Sequence, residues 1–98
     1  MIIRWLENAR FDLQALQQHI ALDNSLAANR MAKHIFNTVN LLSEQPALGR
    51  HGRIPHTREL IISNTPYIVL YQVKNNTIEI LRIFHAARQW PTESFFDK

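Results

Sequence analysis

Apolar residues recur along this chain with two different periods, and the change comes near residue 46. Before it, Leu6, Ala9, Leu13, Leu16 and Ile20 return at spacings of three and four, which predicts an amphipathic helix from about Glu7. Asp23-Asn24-Ser25 breaks the pattern, and Asn24 is placed to cap a second helix by accepting from an amide of its first turn. That helix carries Ala28, Met31, Ala32, Ile35, Val39 and Leu42 along one stripe and is expected to run until Pro46. Two helices joined by so short a break must lie antiparallel as a hairpin. Ahead of them, Ile2 to Trp5 is short and apolar enough for a first strand.

After a loop from Pro46 to His56 the period shortens. Leu60–Ile62, Tyr67–Val73 and Ile78–Phe84 are rich in β-branched and aromatic residues, and Ser63-Asn64-Thr65-Pro66 and Lys74-Asn75-Asn76-Thr77 separate them. This predicts an antiparallel meander. In Tyr67–Val73 both alternating faces are apolar, the mark of a central strand covered on both sides. The fold class is therefore α+β: an N-terminal strand, then a helical hairpin packed on one face of a mainly antiparallel sheet. Residues 1–91 form one domain and residues 92–98 a tail. Phe11, Phe36 and Leu41 fall off the helical stripes, so apolar surface is left over and a partner is expected to cover it. The competing reading has the loop and the tail, with Ser94-Phe95-Phe96, folding back as a lid.

Composition narrows the function classes. Ninety-eight residues allow one core of two packed layers. With no cysteine, disulfide frameworks and thiolate metal sites are excluded. The first residues lack a signal peptide's apolar stretch, and no run approaches the roughly 20 residues of a membrane span, so a cytoplasmic protein without a membrane partner is expected. The five histidines lack close pairing with one another or with Glu, so neither a metal nor a cofactor is expected. No serine has a recognisable nucleophile context, and Gly49-Arg50-His51-Gly52 is not a phosphate loop.

The charge is unevenly placed. Residues 1–45 balance, whereas residues 46–90 hold six Arg and Lys against Glu59 and Glu79. That asymmetry favours an acidic partner, yet it falls short of the dense basic stripe of a dedicated nucleic-acid binder, which argues against direct nucleic-acid binding. The end of the meander presents Arg82, His85, Arg88 and Trp90, which with Arg50 and Arg53 of the loop are candidate target-binding residues. Blander roles compete. Arg58 could pair with Glu79 across the sheet, Tyr67 and Tyr71 could be core, Trp90 could plug the core, and Arg50 and Arg53 could be solvated loop charges.

In order and spacing, several short motifs resemble the RelE/ParE family of toxins from bacterial type II toxin–antitoxin modules. They are Asp12-Leu13, Ala27-Ala28, Pro46-x-x-Gly49-Arg50, Thr57-Arg58-Glu59-Leu60, Pro66-Tyr67-Ile68-Val69-x-Tyr71 and Ile80-Leu81-Arg82-Ile83-x-His85-x-x-Arg88-Gln89-Trp90. The resemblance spans Trp5 to Pro91 and implies a cognate antitoxin that forms a hetero-oligomer with the toxin. Phe11, Phe36, Leu41 and Tyr71 are the candidate antitoxin contacts. The family carries two activities on one scaffold, so fold alone does not assign function. RelE-like members cut mRNA in the ribosome, and ParE-like members inhibit DNA gyrase. The long hairpin and the His-x-x-Arg-Gln-Trp ending look more like the ParE branch, which implies gyrase as target.

A nuclease would need a base for the 2′-hydroxyl, cations for the phosphate and an acid for the leaving oxygen. Arg58, Glu59, Arg82 and His85 are the candidates for a mRNA endonuclease. Strand parity works against them. Arg58 and Glu59 are adjacent and should point to opposite faces, and Arg82 and His85 share a face only if the strand ends or bulges between them. The loop before the meander also lacks the lysines, and the end of the chain the tyrosine, that RelE-like nucleases tend to carry.

Overall fold

The computed structural model describes residues 1–87. Strand β1 (Ile2–Trp5) leads into helix α1 (Glu7–Ala21) and helix α2 (Ser25–Asn40). Strands β2 (Arg50–His51), β3 (Arg58–Ile61), β4 (Tyr67–Lys74) and β5 (Thr77–His85) follow. The sheet order is β1-β5-β4-β3-β2, with β1 parallel to β5 and every other pair antiparallel. The expected α+β architecture, a hairpin on one face of a mainly antiparallel sheet, is the one observed.

Local chemistry explains two of the boundaries, the start of α2 and the β4–β5 turn. Asn24 caps α2, its Oδ1 accepting from Ala27 N at 3.0 Å. α2 ends at Asn40 rather than at Pro46, and a 3-10 turn (Leu41–Ser43) carries the chain on. The turn is tied down from outside, because the N-terminal ammonium of Met1 donates to Ser43 O at 2.9 Å. Asn75 and Asn76 both have positive φ, 52° and 59°, between the paired residues Lys74 and Thr77. This is the two-residue turn whose twist matches that of a β-hairpin, and Asn tolerates it. The two-residue strand β2 was not expected from the sequence, since the Gly- and Pro-containing segment around it reads as loop.

The core lies between the hairpin and the sheet. Ala9, Leu13 and Leu16 from α1 and Ala32, Ile35 and Val39 from α2 meet Leu60, Ile62, Val69, Tyr71, Ile78, Ile80 and Ile83. The opposite face of β4 is also closed, with Ile68 and Leu70 buried and Phe84 buried beside them on β5. Covering on both sides of this strand is what its continuous apolar run requires. Bare apolar surface lies elsewhere: Phe11, Leu22, Leu26, Phe36 and Leu41 on the helices and the turn, and Ile61 on β3. Among the described residues, no helix is long and apolar enough to cross a membrane.

Candidate functional site

Two polar knots hold the sheet half of the molecule. The first centres on Tyr71, which is fully buried. Its hydroxyl donates to Pro46 O at 2.7 Å and accepts from Gly49 N at 2.9 Å, so one phenol pins the loop before β2. A Cβ at Gly49 would stand 2.7 Å from Tyr71 Cε1 and 2.9 Å from Glu59 O, so only glycine lets the loop approach this closely. Arg58 donates to Gly49 O at 2.7 Å and to Ala47 O at 3.3 Å, tightening the same loop.

Glu59 points the other way and is 2 % exposed. Its Oε1 accepts from Arg50 Nε and Nη2 at 3.1 and 3.0 Å, and its Oε2 accepts from Arg53 N at 3.0 Å. The expected divergence of Arg58 and Glu59 is thus observed. The expected Arg58–Glu79 pair is not, because Glu79 accepts from Gln72 Nε2 and lies 4.0 Å from Arg4. A whole strand separates the two residues: β4 lies between β3 and β5, so Arg58 is paired with Tyr71 and Glu79 with Gln72.

Burial of Tyr71 pushes its phenol pKa above the ordinary 10, against the opposing influences of the Gly49 hydrogen bond and the Arg58 charge. The unfolded chain therefore ionises first as pH rises. Stability from this group is complete below about pH 10 and falls as pH climbs from there toward the folded-state value. Denaturant titrations across pH 9–11 should show that decline in the wild type and a smaller one in Tyr71→Phe.

The second knot closes the far end of β5. Asp12 of α1 accepts from Arg82 Nε at 2.7 Å and Nη2 at 3.0 Å, and its Oδ2 also accepts from Ile83 N at 2.9 Å. Arg82, a candidate for target binding and for catalysis, is thereby engaged inside the protein, with 18 % of its side chain exposed. Its guanidinium also lies over Phe84, 5.5 Å from the ring centroid. The strand irregularity falls between the Leu70–Arg82 and Tyr71–Ile80 pairs, which leaves Leu81 as the extra residue. From Arg82 to His85 the pairing is regular, so those two side chains leave opposite faces. His85 instead makes an edge-on contact with Tyr67, ring centroids 5.6 Å apart, and its Nδ1 accepts from Ala87 N at 3.2 Å.

Glu59 and Arg82 flank Leu70 on one face of the sheet, but each of the four nuclease candidates is engaged by a partner of its own. Arg58 holds backbone carbonyls, Glu59 holds Arg50 and Arg53, Arg82 holds Asp12, and His85 meets Tyr67 edge-on. Of the target-binding candidates, Arg50 is half exposed beside Glu59, Arg53 and His85 stand at the surface or partly so, and Arg88 and Trp90 lie outside the described residues. Of the antitoxin-binding candidates, Phe11, Phe36 and Leu41 are exposed, at 59 %, 42 % and 49 %. Tyr71 is a correction: a side chain with no exposure and both hydroxyl roles satisfied by the loop cannot offer itself to a partner.

Sequence reasoning missed the apolar tips Leu22 and Leu26, and the role of Asp12. It also missed an open groove of about 350 Å³ lined by Thr38, Leu48, Arg50, Glu59, Leu60, Ile61 and Ser63. The exposed leucines flank Asn24 and had a signal, being apolar residues at a helix junction. The groove had none. Among the described residues, no group of His, Asp or Glu is arranged to hold a metal ion.

Comparison with known proteins gives this geometry its family. The model of the ParE toxin of the type II toxin–antitoxin system parDE matches residues 3–90. The protein Y4kP of Sinorhizobium fredii (strain NBRC 101917 / NGR234) is 42% identical over 89 residues, which are 91% of this chain and 92% of that protein. Toxin RelE2 of Caulobacter vibrioides (strain ATCC 19089 / CIP 103742 / CB 15) is 37% identical over 84 residues, 86% of this chain and 93% of its own. A solved chain of the chromosomal ParDE system from P. aeruginosa superposes with a TM-score of 0.79 at 28% identity, covering 87% of this chain and 95% of that one. The chain belongs to the ParE toxin family of type II toxin–antitoxin systems.

Proposed function

We propose that this toxin acts by binding its target, DNA gyrase, rather than by cutting RNA, and that a cognate antitoxin holds it inactive in the cytoplasm. The observation that carries the reading is the engagement of Glu59. This carboxylate is the strongest candidate for a general base, and it is buried with both oxygens taken by Arg50 and Arg53. A base must come within hydrogen-bond reach of the proton it removes. With Arg82 turned to Asp12 and His85 on the other face of the strand, the candidates among the described residues do not form a proton-transfer pair aimed at one phosphate. Inhibition by binding needs only a complementary surface with aromatic and Arg anchors. His85 at the end of β5, followed in sequence by Arg88 and Trp90, supplies those residue types.

The exposed Phe11, Phe36 and Leu41 suit the apolar face of an antitoxin helix laid along the hairpin. A partner of this kind agrees with the toxin–antitoxin system to which the P. aeruginosa relative belongs. Two assays test the reading. Purified toxin should block gyrase supercoiling in proportion to its concentration and leave mRNA on translating ribosomes intact; codon-positioned mRNA cuts with undisturbed supercoiling would reverse the assignment. Co-expression with the product of the neighbouring gene should give a stable complex. Phe11→Glu with Phe36→Glu should weaken that complex by about 3 kcal/mol or more, because charge replaces two apolar anchors.

A further inference from the structure

β1 supports only the first half of β5. Its pairing runs from Ile2 opposite Thr77 to Trp5 opposite Ile80, and Leu6 N donates the last bond, to Ile80 O at 3.0 Å. There the chain turns away into α1, and the extra residue Leu81 interrupts the register with β4. Beyond that point β5 continues for four residues with β4 on one side and, among the described residues, no strand on the other. An unsupported strand end of this kind frays or pairs wrongly unless something meets its backbone donors.

Asp12 does so. Its carboxylate takes the Ile83 N–H at 2.9 Å, as the carbonyl of a sixth strand would, and takes Arg82 Nε and Nη2 with its two oxygens. Three charge-assisted bonds from one side chain fix both the height and the tilt of the strand, since the guanidinium fork tolerates little rotation. The pair is about one-fifth exposed on each side, so water competes weakly for it. Two residues further on the strand ends with His85, held over Tyr67, and Ala86 N donates to Pro66 O at 2.7 Å.

We infer that Asp12 is a positioning residue: on the outer edge of β5, where no described strand pairs, it takes the place of a strand partner, fixes how His85 is presented at the strand end, and is needed for target inhibition but not for antitoxin capture. The inference rests on the proposed action by binding at that strand end. Phe11, next to Asp12 in sequence, points outward at 59 % exposure, whereas Asp12 points inward, so the two functions separate at neighbouring positions.

The test compares wild type, Asp12→Asn and Asp12→Ala as full chains. Asp12→Asn keeps one oxygen for the Ile83 N–H and removes the charge that orients Arg82. It should need at least tenfold more protein to inhibit supercoiling, with antitoxin affinity within twofold of wild type and a thermal midpoint that is lowered but stays well above the assay temperature. Amide exchange at Ile83, read by NMR or mass spectrometry, should rise further in Asp12→Ala than in Asp12→Asn. Equal inhibition by Asp12→Asn and wild type would overturn the inference, and so would a parallel loss of antitoxin affinity, which would mark a general fold defect. If wild type leaves supercoiling untouched, the gyrase reading fails by itself. Growth arrest by the same variants then decides the role of Asp12: a tenfold weaker arrest at matched expression supports it, and equal arrest rejects it.

Discussion

Tyr71→Ala should destabilise the fold by about 3–5 kcal/mol, the cost of removing a fully buried aromatic ring from a packed core. A domain of this size has only about 5–15 kcal/mol in total, so the variant should be partly unfolded at 37 °C. The thermal midpoint should fall by at least about 12 °C, at roughly 4 °C or more per kcal/mol. Tyr71→Phe separates the ring from its hydroxyl. The ring stays, but the Gly49 N–H and the Pro46 carbonyl lose their partner, which costs about 1–3 kcal/mol where they remain buried. Urea titrations with fluorescence detection measure both. If Tyr71→Phe matched wild type, the phenol would not be what holds the Pro46–Gly49 loop.

The largest functional effect is expected from removing three of the proposed target-binding residues together. If the proposed action on gyrase holds, His85→Ala, Arg88→Ala and Trp90→Ala combined should weaken the inhibition by about 4 kcal/mol, roughly a thousandfold, because aromatic and Arg anchors carry a disproportionate share of interface energy. Circular dichroism and antitoxin binding should change little, since the described core includes none of the three. Glu59→Gln is the matching control. It should lower stability, because Arg50 and the Arg53 N–H lose a charged acceptor, while activity per folded molecule stays near wild type. A nuclease with Glu59 as base would instead lose about 100- to 10,000-fold with the fold intact. Growth arrest at matched expression and supercoiling titrations report the two outcomes.

What could be read in the chain beforehand was what neighbouring residues decide. Asn24 caps α2 because its acceptor reaches an amide three residues on, and Asn75-Asn76 turns the β4–β5 hairpin because both residues tolerate positive φ. The continuous apolar run of β4 announces burial on both sides, and Phe11, Phe36 and Leu41 stand off the helical stripes as surface. What could not be read depends on partners remote in sequence. Tyr71 bonds two backbone groups of a loop more than twenty residues earlier, so nothing around it distinguishes a loop anchor from a contact residue. Arg82 reads in the sequence as a candidate binding or catalytic cation because its acceptor lies 70 residues away on another element. Arg58 found backbone carbonyls, which leave no trace in side-chain patterning. The candidate site was thus legible as a list of surface chemistry and illegible as a set of pairings.

The parallel register of β1 against β5 bears on the order of events during synthesis. Ile2 waits for Thr77, about 75 residues behind it on the growing chain. At roughly 5–20 residues per second that interval is on the order of 4–15 s, and throughout it the first strand has no ladder to join. Closure of so long a loop is also entropically slow, which places the β1–β5 pairing late in folding. Since α1 follows β1 after a single residue, the path of Asp12 onto β5 is completed only then. A nascent chain would thus present its helical hairpin before its strand end is built, giving an antitoxin made alongside it access to the hairpin first.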